Sequence, residues 1–400
     1  MSEANNMKRW LYVDTYTSPA DVAAGDVAAG PSSDSIGYGI TASAAIVAEL
    51  EARGFDVIRV NPHTPAGQGS RSDSRARWTA NVYRRIVDAI DREHPDLIFI
   101  FHIFSVFPSV IRKALQDMGT DIPVIGYTHG SHWDPTDTYR ADRHPRLRLL
   151  DLANIDSLDR LLVVSEYMCR TLEENIGALS PALANDVTNK TSIVGLPLDT
   201  TQIQRQWTGE QFDRTTIVFN HAPIESKRPK VFTQAANEIL DRHDAVIVFT
   251  RRFAEEDPGG KEVSELADRH PGQVVLGNDM SIADYYRTLW RSHIQVSTAS
   301  HESFGVATLE AMYTHNCCLL PTKGAYPEIC HNNPDVLYDG TVSTLVKRLT
   351  HLIKSPYERR RMSVELSKIA MLHDAPAVVD RILESISDIA SSHRVKGSND

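Results

Sequence analysis

Two carboxylates eight residues apart, Glu302 and Glu310, lie in the stretch 297–329, STASHESFGVATLEAMYTHNCCLLPTKGAYPEI. A short β-like run, 294–297, precedes them and reads as a strand. After Gly305, residues Val306, Leu309, Ala311 and Met312 recur at helical spacing and predict an amphipathic helix. Glu302 is therefore expected in a loop just past a strand end, beside Phe304 and Gly305, and Glu310 inside the helix that follows. Carboxylates so placed can present one group to a sugar and the other to a ribose. Between them lie the amides of a helix N-terminus, where an anion is favoured. Taken singly, the two are equally explained as a helix cap and a solvated helix face.

Cations occur at the matching places. Lys227 and Arg228 lie in a loop before a helix, and Arg251-Arg252 follow the next strand. Strand-end positions would bring them to one sheet edge, where they suit a diphosphate; a solvated basic loop is the alternative. His102 and His129 each close an apolar run, at the strand ends where open α/β sheets bind ligands. Gly37-Tyr38-Gly39 opens a helix after a first strand, without the third glycine of the dinucleotide fingerprint. The chain has no G-x-x-x-x-G-K-[ST], no G-x-S-x-G elbow and no His/Cys/Asp/Glu spacing that makes a metal cluster.

The elements that must position these groups alternate. Strands are expected at 10–14, 55–60, 96–102, 123–127 and 161–165, and the run 193–199 ends the first half. They recur at 215–220, 245–250, 274–277, 294–297 and 317–321, with helices between and a helical tail from 342 to 389. Polar loops are expected at 17–35 and 62–75, and a linker at 197–213. The fold class is α/β: two doubly wound, Rossmann-like domains facing a central cleft. The domains are expected at 1–200, on the acceptor side, and 214–375, with a helix and flexible tail at 376–400. A length of 400 residues fits two cores. A net charge of −10 argues against broad nucleic-acid binding, although Arg140, Arg143, Arg146 and Arg148 form a local basic run. Four cysteines without a paired pattern suit a reduced, cytoplasmic protein. No apolar run reaches membrane-spanning length, so no integral membrane segment is expected.

The order Ser165-Glu166, Lys227, Glu302-x7-Glu310 with Phe304-Gly305, and Pro327-Glu328-Ile329 resembles the family 4 retaining glycosyltransferases of the GT-B fold. The resemblance is dense over 215–350 and diffuse before. STASHESFGVATLEAMY with YPEI, and Asn220-His221 ahead of Lys227, resemble the tRNA-queuosine mannosyltransferases most. The resemblance implies transfer from a nucleotide-diphosphate sugar, with a lean towards GDP-mannose over UDP-sugars, no metal and no other cofactor. Glu310 would bind the donor ribose, and Glu302 with the Phe304 and Gly305 amides the transferred sugar. Lys227 would neutralise the leaving diphosphate, and His129 would approach the sugar. Gly37 and Gly39 would line the cleft, and Leu276-Gly277 would meet the base. Ala222 stands where such proteins carry an arginine, with Arg251 or Arg252 as replacement. The acceptor, a small molecule or tRNA, stays open. So do a sugar phosphorylase, a nucleotide-sugar epimerase and a non-catalytic nucleotide-sugar-binding protein as other uses of the fold.

Overall fold

A computed structural model describes residues 7–14, 38–60, 71–103, 106–137, 145–278 and 280–389. They form two compact units, the second spanning Leu198–Asp374 and the first holding the rest apart from 31–38. Gly37, the 17–35 loop, Arg140 and Arg143 lie outside the described residues.

The first unit alternates β1 (Arg9–Val13), α1 (Tyr38–Ala52), β2 (Asp56–Val60), α2 (Arg71–Glu93), β3 (Leu97–Ile100) and α3 (Pro108–Asp117). It continues with β4 (Val124–Thr128), α4 (Pro145–Asp156), β5 (Arg160–Val163), α5 (Glu166–Gly177), α6 (Pro181–Asn189) and β6 (Thr191–Ile193). The six strands are all parallel, in the order β2-β1-β3-β4-β5-β6. Strands covered on both faces must be apolar throughout, which is why β3 and β4 read as unbroken buried runs rather than alternating ones. Tyr12, Phe99, Phe101 and Tyr127 stack across neighbouring strands, with ring centroids 5.1 Å apart for Tyr12–Phe99 and 5.3 Å for Phe101–Tyr127. Strand order reverses between β1 and β3, so their carboxyl ends flank a topological switch point.

The second unit runs α7 (Thr200–Gln204), β7 (Thr215–Phe219), α8 (Pro229–Leu240), β8 (Ala245–Phe249), α9 (Gly260–Arg269), β9 (Val274–Leu276) and α10 (Ile282–Arg291). Then come β10 (Ile294–Val296), α11 (Val306–Tyr313), β11 (Cys317–Pro321), α12 (Tyr326–Ile329), β12 (Leu337–Tyr338), α13 (Val342–Lys354) and α14 (Pro356–Met371). Its sheet is again six parallel strands, ordered β12-β11-β10-β7-β8-β9, with the switch point between β7 and β10. Phe219, Phe232 and Phe249 pack the β7–β8 side of the core, with Phe219 and Phe232 stacked at 4.6 Å. The chain enters and leaves this unit at adjacent points: the Leu198 amide donates to the His373 carbonyl at 2.7 Å. Helix α15 (Ala375–Ser385) then belongs to the first unit. It buries Val378, Val379 and Ile382 and is pinned there by Arg53 to Asp380, by Arg381 to the Val194 carbonyl and, just past its end, by Arg160 to Asp388.

Several expectations need correcting. The polar loop at 62–75 gives way to α2 by residue 71. The stretch 197–213 is anchored at its start rather than free: Ile203 is fully buried, its carbonyl accepts from the Trp290 indole at 2.8 Å, and half-exposed Trp207 meets Trp290 edge-on, while 208–213 is mostly exposed. Helix α11 is not amphipathic. Thr308 to Met312 are all buried: α14 and β11 pack on the helix, and Tyr285 and Tyr286 of α10 meet Glu310. Helices α6 and α9 and strand β12 gave no signal that the periodicity picked up, being short or weakly apolar.

Candidate functional site

The switch point of the second sheet gathers most of the singled-out residues. Past β7 come Asn220 and His221, then a single 3-10 turn, Glu225–Lys227. Arg228 has a left-handed backbone, φ 49°, which lets Pro229 open α8 immediately. The turn is tied to the loop beyond β10: Thr298 Oγ1 donates to the Lys227 carbonyl at 2.7 Å, and the Ser300 amide to the Ser226 carbonyl at 2.8 Å. Lys227 Nζ consequently reaches Glu302 Oε2 at 2.8 Å, with both side chains about 15% exposed or less. Burial pushes the Glu302 carboxyl up, but the Lys227 charge and hydrogen bond leave it below the usual range. The pair is ionised and largely enclosed.

The Glu302 loop is shaped by two glycines with left-handed backbones. Gly324 has φ +54°, and a Cβ there would sit 2.3 Å from the Glu302 carbonyl oxygen. Gly305, at φ +100°, ends the loop and begins α11; a Cβ would meet Ile329 at 2.9 Å. This close contact lets the Ala325 amide donate to the Glu302 carbonyl at 2.9 Å. It also places Tyr326 beneath the carboxylate, with its hydroxyl 3.2 Å from Glu302 Oε2 and 2.6 Å from Ser297 Oγ. Phe304 is buried, edge-on to His373 at 5.2 Å.

Glu310, one turn into α11, is buried and held by two neighbours on α10. Tyr285 donates to Oε2 at 2.6 Å and Tyr286 to Oε1 at 3.0 Å. Burial raises its pKa; the two tyrosines and the Arg251 charge oppose that without overcoming it. The Asn220 side chain donates to the Tyr285 hydroxyl at 3.1 Å and to the Ala307 carbonyl at 2.7 Å. Gln295 contacts Asn220 and the His221 ring, each at 3.2 Å. Burial first, then Lys227 and Arg251, lower His221 to about 3, so it is neutral. Arg251 lies over the Tyr285 ring at 5.6 Å, and its charge is felt at His221, Tyr285 and Glu310. It is thus brought to the site. Arg252 is exposed and is not. Gly277 follows β9, its amide donating to the Phe249 carbonyl at 2.7 Å, with exposed Val275 and Leu276 before it.

In the first unit, His129 follows β4 and is 4% exposed. Its ring stacks on His102 at 5.0 Å and 7°, and meets Tyr127 and Phe101. Burial lowers both histidines, His102 to about 4; nearby His132 lowers His102 further, and His102 in turn lowers His129. His132 Nδ1 lies 2.9 Å from both oxygens of buried Asp151. Gly39 is the second residue of α1. Of the basic run, Arg148 stacks over Trp133 at 5.2 Å. Asp199 and Ser165 are N-caps, of α7 and α5. Among the described residues no group of three or more His, Cys, Asp or Glu could hold a metal ion. Sequence reasoning missed Tyr285, Tyr286, Tyr326 and Ser297. The only available signal was two tyrosines at adjacent helix positions and one just before Pro327-Glu328.

Residues 41–182 match the family described as Glycosyltransferase Family 4. They fall in the first unit, where the motif pattern is diffuse. A tRNA-queuosine alpha-mannosyltransferase of Drosophila melanogaster is 28% identical over 152 residues, 37% of this chain. The chain spans about two fifths of that relative's length, 39%. Sucrose-phosphate synthase from Thermosynechococcus elongatus superposes with a TM-score of 0.71 at 12% identity, covering 96% of this chain and 99% of its own. Anabaena HepE in complex with UDP gives 0.64 at 15% identity, covering 95% and 100%. No helix is long and apolar enough to cross a membrane among the described residues. The chain has the GT-B fold, and its first unit carries the glycosyltransferase family 4 match.

Proposed function

We propose that the protein is a glycosyltransferase that takes a sugar from a nucleotide-diphosphate sugar and retains its anomeric configuration. The observation that carries this reading is the enclosed Lys227–Glu302 pair at the β7/β10 switch point, with buried Glu310 and Arg251 beside it. The bond between the anomeric carbon and the diphosphate oxygen breaks while an acceptor oxygen bonds the same face of that carbon. The acceptor proton passes to the departing phosphate oxygen. Lys227, with Arg251 in place of the arginine that Ala222 lacks, meets the negative charge growing on the diphosphate. Glu302 holds the transferred sugar, and the Phe304 and Gly305 amides assist. Glu310 still has lone pairs beyond the two its tyrosines occupy, enough to accept ribose hydroxyls. Leu276 and Gly277 meet the base, and His129 acts on the sugar.

The donor is GDP-mannose or a UDP-sugar. The Drosophila relative's name supports a mannosyl donor, and the UDP bound to HepE supports the other. The acceptor is a small molecule or tRNA, and four free cysteines support a cytoplasmic location. The test is a thermal-shift panel of UDP, GDP, UDP-glucose and GDP-mannose. Stabilisation by one base series is expected, and no shift with any of them refutes the reading. His129→Ala should then keep the shift and lose sugar transfer.

A further inference from the structure

The two glutamates of the site are supported differently. Each oxygen of Glu310 has its own tyrosine. On Glu302 both contacts, Lys227 and Tyr326, fall on Oε2, and among the described residues no hydrogen bond reaches Oε1. Tyr326 is fully buried, and its hydroxyl is itself fixed. It shares a 2.6 Å hydrogen bond with Ser297 Oγ, while the Ser297 amide donates to Leu319 and its carbonyl accepts from Tyr338 at 2.8 Å. Ser297 immediately follows β10, so the chain Ser297–Tyr326–Glu302 anchors the carboxylate to the sheet.

We infer that Tyr326 is a positioning residue that holds Glu302 by Oε2 so that Oε1 is presented to the transferred sugar. Two features make the hydroxyl's role separable from packing. Lys227 alone holds one oxygen from one direction, and a carboxylate held by a single flexible ammonium can still swing about its last torsion. A second donor on the same oxygen, from a rigid phenol, removes that freedom. The ring's apolar body, in contrast, packs beside Gly305 and needs no hydroxyl. The consequence is selective: Tyr326 governs affinity for the sugar part of the donor and not for its nucleotide part, which Lys227, Arg251 and Glu310 hold.

This inference rests on the proposed function, and one experiment separates the two. Isothermal titration measures UDP against UDP-glucose, and GDP against GDP-mannose, for wild type, Tyr326→Phe and Ser297→Ala. Whichever base the wild type prefers, Tyr326→Phe should bind the nucleoside diphosphate as before and the nucleotide sugar about tenfold more weakly, the size of a hydrogen bond to a charged group. Ser297→Ala, which leaves the phenol in place without its orienting partner, should move the same ratio by less. Equal loss for both ligands, or no loss for either, overturns the positioning role; a lowered melting temperature with an unchanged ratio does so too. Wild type binding none of the four overturns the proposed function along with it.

Discussion

Removing the Lys227 ammonium tests whether the site is an enclosed ion pair. In Lys227→Ala, Glu302 stays largely buried without its counter-charge. Breaking a fully buried pair costs about 3–5 kcal/mol; with each side chain about 15% exposed, water relaxes part of that, and we expect about 2–3 kcal/mol near neutral pH. For a unit of this size that is a drop of roughly 4–12 °C in melting temperature. The pH dependence is the sharper readout. In the wild type, Glu302 has a folded pKa below its ordinary 4.5, so its contribution is present above 4.5 and lost as pH falls through the folded value. In the variant, burial dominates and raises the pKa above 4.5, so the buried charge costs stability at neutral pH. That cost is relieved as pH falls through the raised value. The two proteins should therefore converge on acidification. Thermal melts from pH 7.5 to 4.5 measure the difference, with Lys227→Met/Glu302→Gln, which removes both charges, as the control expected close to wild type. A destabilisation that is flat across the pH range, or that the double variant fails to relieve, refutes the ion-pair account.

Glu310→Ala should leave the Tyr285 and Tyr286 hydroxyls buried without their acceptor, costing about 1–3 kcal/mol, and should weaken nucleotide binding in the titrations above. Glu310→Gln should recover part of the stability, because an amide oxygen still accepts from one tyrosine. His102, His221 and His293 sit at about 4, 3 and 4, below the ordinary 6.5. Between pH 6.5 and 4 the unfolded chain takes up protons that these rings, buried or partly buried, refuse, so stability falls with acid; His221→Gln should flatten the slope seen in denaturant titrations at successive pH values. Gly324→Ala should cost more than about 1 kcal/mol, since the left-handed backbone and the Glu302 carbonyl both oppose a methyl group. Gly209→Ala, with a similar φ of +79° and open space around it, isolates the backbone share; equal losses at the two sites would mean the Glu302 contact does not matter.

Much of the frame was legible because buried parallel strands cannot disguise themselves. Runs such as Leu97–Ile100 and Cys317–Pro321 have to be apolar on both faces, and each announced a strand. The placement of Glu302 in a loop and of Glu310 in a helix followed from the same grammar. What stayed hidden depended on neighbours distant in sequence. Glu310 reads as a surface residue until α14 covers its helix and α10 supplies two hydroxyls. Tyr326 carries no periodic signal, and its contact with Glu302 spans a loop whose path only Gly305 and Gly324 permit. The choice between Arg251 and Arg252, level in the sequence, is made by which of two adjacent side chains turns over Tyr285.

Helix α15 gives the chain an order of completion that differs from its order of synthesis. The first unit is missing Val378, Val379 and Ile382 from its core until residues beyond Asp374 have been made. The second unit is in effect an insertion. When folded, it brings Leu198 and His373 within one hydrogen bond of each other, so α15 is delivered as though tethered by a tight turn. When unfolded, it becomes a flexible loop of well over a hundred residues whose closure opposes the docking of α15. Folding of the second unit therefore favours completion of the first through chain entropy, with no contact between them required.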